Sequence, residues 1–142
     1  MDVKVKKLHK DAVIPAYSKP GDAGLDLTAI SRERDEYGNI VYGTGLAIEI
    51  PAGYVGLIYP RSSNSKKDLV LSNHVGVIDS GYRGEIMFKY RPYKGLVDSA
   101  VYEVGERIGQ LIIMEYPSIN LVESDELSDT ARGDGGFGST GK

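Results

Sequence analysis

The distribution of apolar and polar residues along the chain predicts a series of short β-strands. Val3 to Leu8 alternates between apolar and polar side chains, as a half-buried strand does, and several short apolar runs follow it. Gly43 and Gly45 interrupt one of these runs, which indicates a bulge or bend there. The runs that we interpret as strands are residues 3–8, 25–30, 40–50, 54–59, 69–71, 75–78, 85–90, 101–104, 107–115 and 119–122.

Helical signals are few. No long window has helical periodicity, and strands do not alternate with helices along the chain. The one short helix that we predict lies within residues 62–69, where Ser62 or Ser63 could cap the first turn. The pattern therefore predicts an all-β fold, either two packed antiparallel sheets or a jelly roll.

Two segments rich in turn residues are predicted to be hairpins. Residues 32–41 are charged and contain the turn sequence Tyr37-Gly38-Asn39, as a surface hairpin would. Residues 73–86 have Asp79, Ser80 and Gly81 in the middle, which places an acid at the bend of the second hairpin.

Composition supports this fold class and limits the chemistry. The chain has 142 residues, which suits one domain, with 18 Gly and ten Tyr against two Phe. Such glycine-rich and tyrosine-rich chains are typical of all-β proteins. Because there is no cysteine, disulfides and thiolate metal sites are excluded.

Charge and hydropathy bear on possible partners. The net charge of −3 argues against a general nucleic-acid binder, although a few local arginines would suffice to bind a small anion. The N-terminal lysines are not followed by an apolar run, so we expect no signal peptide, and no window approaches the ~18 apolar residues of a membrane span. We expect neither nucleic acid nor membrane as a partner, and a cytoplasmic location, in a cell or in the host of a virus.

The composition changes near residue 123. We therefore divide the chain into a β domain over residues 1–122 and a flexible C-terminal arm over residues 123–142. Phe137 is unusual there, because the surrounding glycines cannot build a core around it. Arg132 and the Ser139–Thr140 pair lie near it in sequence, and these residue types bind phosphate oxygens. The arm therefore suggests base stacking beside a phosphate site; the alternative is a disordered glycine-rich tail.

Other candidate residues have both a functional and a structural interpretation. Arg61-Ser62-Ser63 begins the predicted helix and could bind phosphate, or could be an ordinary cap with a solvated arginine. Asp79 could be a general base beside a pocket walled by Tyr82, or only a turn former with a strand tyrosine after it.

Two polar residues lie inside apolar runs, where each needs a hydrogen-bonding partner. Asp26 could be structural, with an arginine as its partner. Taken alone, Asp26 and Gln110 each fit a structural role better than a functional one. His9 and His74 lack a partner at metal-ligand spacing, so we predict no metal held by protein groups.

Taken together, five segments resemble the five motifs of the trimeric dUTPase family, in the order of that family. The segments are residues 23–27, 60–63, 73–86, 105–110 and 132–141. One such motif would be weak, whereas five in order are very specific. Gly109 departs from the family, which often has alanine there, and Glu106 stands where aspartate is common.

The resemblance implies a β-rich jelly roll, a homotrimer, and active sites built between subunits. It implies hydrolysis of dUTP to dUMP and pyrophosphate, which limits uracil in DNA and supplies dUMP for dTMP synthesis. Asp79 would activate the attacking water. The residues expected to bind substrate are Arg61, Ser62, Ser63, Asn73, Gly76, Val77, Ile78, Tyr82, Met87, Gln110, Arg132, Phe137, Gly138, Ser139 and Thr140, with Asp26 in support.

The resemblance assigns these residues to different parts of the nucleotide. The 73–86 segment would bind uracil, Tyr82 would pack beneath the deoxyribose, and Arg61, Ser62, Ser63 and Gln110 would hold phosphates. The arm would close over a neighbouring subunit's site with Phe137 stacked on uracil. Mg²⁺ would be held by the triphosphate and water. The alternatives are a dCTP deaminase or bifunctional enzyme of related fold, and a non-catalytic nucleotide sensor.

Overall fold

The computed structural model describes residues 1–95 and 97–141, so Lys142, the last residue of the predicted arm, lies outside the described residues. Within those ranges the chain forms ten β-strands and one short 3-10 helix. The strands are β1 (Lys4–Lys7), β2 (Leu25–Thr28), β3 (Ser31–Arg34), β4 (Ile40–Gly43), β5 (Leu46–Glu49), β6 (Tyr54–Tyr59), β7 (Leu69–Leu71), β8 (Gly76–Ile78), β9 (Met87–Pro92) and β10 (Arg107–Glu115), and the helix is Ser62–Lys66.

The strands form three antiparallel sheets. One has the order β2-β10-β6-β8, the second has the order β3-β4-β9-β7, and β1 pairs with β5 alone. Alternate residues of the two larger sheets, such as Leu111 of β10 and Phe88 of β9, contribute to one buried core, as expected when sheets pack face to face. The all-β, jelly-roll-like fold class predicted from the pattern is confirmed.

Tyrosines account for much of the core, and each buried hydroxyl has a partner. Tyr42 donates to the carbonyl of Tyr102 at 2.8 Å, and Tyr90 donates to that of Ile108 at 2.7 Å. Tyr102 donates to the side-chain oxygen of Asn64 at 2.8 Å, which anchors the 3-10 helix to the core. Burial raises the pKa of Tyr42 to about 12, so this hydroxyl stays neutral and remains a donor.

The predicted hairpin over residues 73–86 is wrong in its pairing. β8 pairs with β6 in one sheet, whereas β9 pairs with β4 and β7 in the other, so this segment crosses between sheets. Local hydrogen bonds take the place of a ladder: the amide of Tyr82 donates to the carbonyl of Asp79 at 3.0 Å. The predicted hairpin over residues 32–41 is confirmed, since β3 pairs with β4.

Three smaller predictions fail for local reasons. Residues 101–104 form no strand, because the carbonyl of Tyr102 accepts side-chain hydrogen bonds from Tyr42 and Arg32 instead of a ladder bond. Residues 119–122 are exposed and form no strand. The helix is shorter than predicted, and its cap residue is Arg61, which makes no side-chain capping bond, so neither Ser62 nor Ser63 is the cap.

In the part of the chain that the structure describes, no helix has the length and apolar character that crossing a membrane requires.

Candidate functional site

Most predicted site residues of the β domain line two clefts that share no lining residue, whereas Ser63 and Gly76 line neither cleft. The Asp79 cleft has a volume of about 400 Å³, and the Arg61 cleft about 590 Å³. The Asp79 cleft is lined by Ser72, Asn73, Val77, Ile78, Asp79, Tyr82, Glu85, Met87 and Lys89. The Arg61 cleft is lined by Ser18, Lys19, Asp22, Ala23, Gly24, Asp26, Arg61, Ser62, Arg107, Gln110 and Ile112.

Asp79 follows β8 directly and is exposed at the wall of its cleft. Tyr82 is 41% exposed there, and its hydroxyl donates to the carbonyl of Glu85 at 2.9 Å, which fixes the direction of the ring. A side chain at Gly84 would overlap the hydroxyl end of that ring. Glycine at position 84 therefore allows Tyr82 to lie across its own loop and present a face to the cleft.

Arg83 orders the carbonyls of the same loop. Its Nη1 donates to the carbonyl of Ser80 at 2.7 Å and to that of Tyr82 at 3.0 Å, while its Nη2 lies 3.4 Å from a carboxylate oxygen of Glu49 in β5. Because both carbonyls belong to the 79–82 turn, this arginine limits the conformations that the turn, and with it the Asp79 backbone, can take.

The opposite side of the Asp79 cleft is formed where β7 passes into β8. His74 adopts a left-handed conformation with φ of 61°, and the Val75 amide donates to the Asn73 carbonyl at 2.6 Å, so the turn is tight. Gly76 is buried against Ile58, and a larger residue there would overlap that side chain. The structure thus brings Asn73, Gly76 and the following β8 residues to the same side of the cleft.

Asp26 is the centre of charge in the Arg61 cleft. One carboxylate oxygen accepts from Nε of Arg61 at 2.9 Å, and the other accepts from Nη1 of Arg107 at 2.9 Å. The side chain of Asp26 is only 18% exposed. An acid inside an apolar strand is tolerated here because each of its carboxylate oxygens is paired with an arginine. The predicted arginine partner is confirmed, and a second arginine accompanies it.

The remaining groups of this cleft are positioned by short contacts. Nη1 of Arg61 donates to the hydroxyl of Ser63 at 3.2 Å, and the amide nitrogen of Gln110 donates to the carbonyl of Pro60 at 3.0 Å. The Gln110 side chain lies against Gly24, where an added Cβ would be 3.0 Å from its Cδ. Gly24 therefore makes room for the Gln110 carboxamide in the cleft.

The charges of the Arg61 cleft favour an anion. Three cations, Lys19, Arg61 and Arg107, stand against two acids, Asp22 and Asp26. Asp26 is already bound to two arginines, and Asp22 accepts the Lys19 amide at 2.9 Å. Over the described ranges, no cluster of three or more His, Asp or Glu residues could hold a metal ion.

The arm does not reach either cleft of its own chain. Phe137 is fully exposed with φ of 47°, and Nε of Arg132 donates to the nearby carbonyl of Gly135 at 3.0 Å. The five predicted arm residues, which are Arg132, Phe137, Gly138, Ser139 and Thr140, line neither cleft.

Several lining residues were missed by the sequence prediction. Arg107 lies in the 105–110 segment, and its sequence proximity to Gln110 was a usable signal. Lys19 belongs to a loop without periodicity, and Ser72 and Lys89 face the Asp79 cleft only because β7 and β9 are neighbours. No pattern along the chain marks those three residues.

Comparison with known proteins gives consistent matches over nearly the whole chain. The family model described as dUTPase matches residues 10–141. The deoxyuridine 5'-triphosphate nucleotidohydrolases of Hydrogenobaculum sp. (strain Y04AAS1) and Nautilia profundicola are each 42% identical, covering 99% and 100% of both chains respectively. Among solved structures, the dUTPase of Staphylococcus bacteriophage 80alpha with dUPNHPP has a TM-score of 0.83 at 32% identity, with 99% of each chain covered. A phage phi11 dUTPase variant, described as coordinating a structural Mg(II) ion, has a TM-score of 0.72 at 25% identity, covering 89% of this chain and 98% of that one.

Proposed function

The chain belongs to the dUTPase family, and from that premise we propose that it hydrolyses dUTP to dUMP and pyrophosphate. The observation that carries the proposal is the pair of clefts, one with an exposed acid beside a tyrosine and one with clustered arginines. The solved relative with dUPNHPP supports a deoxyuridine nucleotide as the ligand.

In the Asp79 cleft, uracil would be bound by Asn73 and by backbone groups of residues 76–78. Val77, Ile78 and Met87 supply apolar contact for the nucleoside, and the tight turn after Asn73 limits space beside the base. Cytosine would present a donor where uracil presents an acceptor, and an unmet hydrogen bond gives strong discrimination. The fixed ring of Tyr82 would pack beneath the deoxyribose and exclude a 2′-hydroxyl.

In the Arg61 cleft, the phosphates would be held by Arg61, Ser62, Ser63 and Gln110. Nε of Arg61 donates a hydrogen bond to Asp26, which fixes the plane of the guanidinium. The Nη nitrogens of Arg61 would then face the phosphate oxygens. Arg107, on the same carboxylate, adds positive charge. Positioning and charge neutralisation of this kind account for most of the rate acceleration in phosphoryl chemistry.

Asp79 would act as the general base. Its carboxylate would orient a water molecule and accept a proton from it as the water oxygen attacks the α-phosphorus in line with the leaving pyrophosphate. Exposure at the cleft wall gives Asp79 access to such a water. The bond from the α-phosphorus to the bridging oxygen breaks, and pyrophosphate leaves with that oxygen.

Magnesium fits this arrangement as an ion that enters with the substrate. Both acids of the Arg61 cleft are engaged by other groups, so phosphate oxygens and water are the available ligands. Arg61, Ser62 and Gln110 would hold the phosphates that carry it. Bound Mg²⁺ would neutralise charge on the triphosphate.

We further propose that three copies assemble and that each site combines clefts from different copies. On the outer face of the β10-β6-β8 strands, Leu57 is paired with both Ile112 and Val77, and Val77 is 63% exposed. Met114, 49% exposed and paired with Val55, extends the apolar area. Such a face is suited to burial against other copies, which would bring an Asp79 cleft to a neighbour's Arg61 cleft.

The arm would complete the site from outside, as a unit separate from the β domain of residues 1–122. Phe137 would stack on uracil, while Arg132, Gly138, Ser139 and Thr140 would bind the outer phosphates. The exposed Phe137 and the lack of arm contacts with its own clefts support a role at a neighbouring copy.

The primary test is hydrolysis of dUTP, dCTP, dTTP and UTP with Mg²⁺, with wild type beside Asp79→Asn and a control acid variant, Glu33→Gln, on exposed β3. We expect rapid dUMP formation from dUTP alone, lost in Asp79→Asn with dUTP binding retained, and unchanged in Glu33→Gln. Conversion of dCTP to dUTP or dUMP would instead indicate a deaminase or bifunctional enzyme. Binding of dUTP without turnover by wild type would indicate a nucleotide sensor.

The shared site can be tested by mixing inactive chains. Asp79→Asn leaves the Arg61 cleft intact, and Arg61→Ala leaves the Asp79 cleft intact. If a site needs one cleft from each of two copies, co-refolding the two variants in equal amounts restores about a quarter of wild-type activity by random combination. A mixture as inactive as its components would show that both clefts must come from one copy.

A further inference from the structure

The turn of the β3–β4 hairpin contacts the Asp79 cleft from outside. This turn, residues 35–39, lies outside every segment that resembles a dUTPase motif. It nevertheless contacts two of the lining residues, because β4 lies beside β9, which in turn lies beside β7.

The first contact is a short hydrogen bond. The hydroxyl of Ser72 donates to the side-chain oxygen of Asn39 at 2.6 Å, and Ser72 lines the cleft directly before Asn73. The second contact is an ion pair in which Nζ of Lys89 lies 3.4 Å from a carboxylate oxygen of Asp35. The two contacted residues are neighbours, since the amide of Ser72 donates to the carbonyl of Lys89 at 2.9 Å.

The turn is held rigidly by Asp35. One of its oxygens accepts from the amides of Tyr37 at 3.0 Å and Asn39 at 2.9 Å, and the other accepts from the side-chain nitrogen of Asn39 at 2.9 Å. Since a carboxylate accepts only, the Asn39 nitrogen must face Asp35 and its oxygen must face Ser72. Asn39 is 6% exposed, so water competes little for these bonds.

We propose that Asn39 is a positioning residue for substrate, acting through Ser72 on the uracil-binding turn at Asn73. The proposal rests on the proposed function, since it assigns a role toward the base of dUTP. The turn that follows Ser72 contains a left-handed histidine, His74, which restricts it to few conformations. A fixed Ser72 selects one of them and so presets the Asn73 side chain before substrate binds.

This role predicts a specific kinetic signature. Asn39 and Ser72 lie on the side of the cleft where the base would bind, so their loss should weaken base binding more than it slows the chemical step at the phosphate. A net hydrogen bond contributes about 1 kcal/mol, which corresponds to roughly a fivefold rise in KM. The preference for dUTP over dCTP should fall as well, because an unrestrained turn can accommodate a different base.

The experiment uses the full chain with four variants and one control. Asn39→Ala removes the acceptor, Ser72→Ala removes the donor, and the double variant removes both. Ser72→Thr keeps the hydroxyl. Glu36→Ala alters an exposed residue of the same turn and serves as the control. For each variant, kcat, KM, the ratio of dUTP to dCTP turnover and Tm are measured.

We expect both alanine variants to raise KM for dUTP about fivefold with kcat within about twofold of wild type. The double variant should resemble either single variant, since two residues that act through one bond are not additive. Ser72→Thr should keep the KM of wild type because it retains the hydroxyl donor. Glu36→Ala should also have the KM and kcat of wild type. Because Ser72 is exposed, Ser72→Ala remains informative even where Asn39→Ala lowers Tm.

Two results would overturn the inference while leaving the proposed function intact. One is wild-type KM in Ser72→Ala. The other is additive effects of the two alanine substitutions on KM, which would show that Asn39 and Ser72 act separately. Failure of the wild-type chain to hydrolyse dUTP would instead overturn the proposed function, and the inference with it.

Discussion

The ring of Phe88 in β9 occupies the space that a side chain at Gly109 in β10 would need. An added Cβ at Gly109 would overlap the ring edge, and even the third-nearest ring atom would be 2.9 Å away. Phe88 is completely buried, so the ring has little freedom to move. This contact explains why the chain carries glycine where the family it resembles often has alanine.

Gly109→Ala should therefore destabilise the protein by about 1–3 kcal/mol through overpacking. Combining it with Phe88→Leu should recover part of that loss, because the smaller side chain frees the space. Chemical denaturation measures both. Gly81→Ala is the control, since a Cβ there meets no atom within 4 Å. Equal destabilisation by Gly109→Ala with and without Phe88→Leu would refute the steric explanation.

Asp26→Asn should reduce kcat/KM by more than about tenfold, because it releases both Arg61 and Arg107 from one carboxylate. Steady-state kinetics with dUTP measures the effect. Glu103→Gln removes a comparable 2.8 Å pair with Arg32 that is exposed, so it should change little. Similar losses in both variants would show that the Asp26 pairs have no special part in the phosphate site.

Tyr82→Ala should admit UTP, because the ring expected to exclude a 2′-hydroxyl is gone. Tyr82→Phe keeps the ring and loses only the hydrogen bond to Glu85, so it should still reject UTP. Tyr116→Ala is matched in exposure, 45% against 41%, and should leave the sugar preference unchanged. Relative turnover of UTP and dUTP is the measurement, and an unaltered ratio in Tyr82→Ala would exclude the ring as the sugar gate.

Removal of residues 132–142 should lower activity strongly while leaving the assembly and its Tm unchanged, because the arm makes no contact with the clefts of its own chain. Light scattering and kinetics test the two parts separately. The chain contains no tryptophan, so Phe137→Trp introduces a single tryptophan whose emission can be followed apart from that of the ten tyrosines. Its emission should change on addition of a non-hydrolysable dUTP analogue; constant emission would contradict stacking on the base.

Stability should depend on Asp35 at acidic pH. Hydrogen bonds from Asn39 and Tyr37 and the nearby Lys89 lower the pKa of Asp35 from 3.8 to about 2. Because the folded-state pKa is depressed, this contribution is fully present above about pH 4 and is lost as pH falls toward 2. Thermal unfolding from pH 5 to pH 2 should show a smaller decline in Asp35→Asn than in wild type. If Tm falls equally with pH in wild type and Asp35→Asn, the carboxylate of Asp35 does not contribute to stability in this pH range.

The sequence predicts the fold class and most strands because the signal is local. Alternation in β1 and the long run of β10 are visible residue by residue, and both strands form. The hairpin predicted over residues 73–86 is wrong because two strands with a turn between them have the same sequence pattern whether they pair with each other or with strands of different sheets. The pairing of β8 with β6 depends on contacts more than 15 residues away.

The candidate site shows the same limit. Asp26 was identified because an acid in an apolar strand needs a partner, and that argument requires no tertiary information. Asn39 was not identified, because its bond to Ser72 crosses 33 positions and neither residue is unusual for a turn. Residues that act through a neighbour leave no pattern in a single sequence.

The separation of the Asp79 cleft from the Arg61 cleft has a consequence for inheritance. If each site draws its clefts from different copies, a chain defective in one cleft still lends its intact cleft to a neighbour. Loss of activity then follows the proportion of defective chains instead of silencing whole assemblies. Alleles defective in different clefts would complement each other, whereas two alleles defective in the same cleft would not.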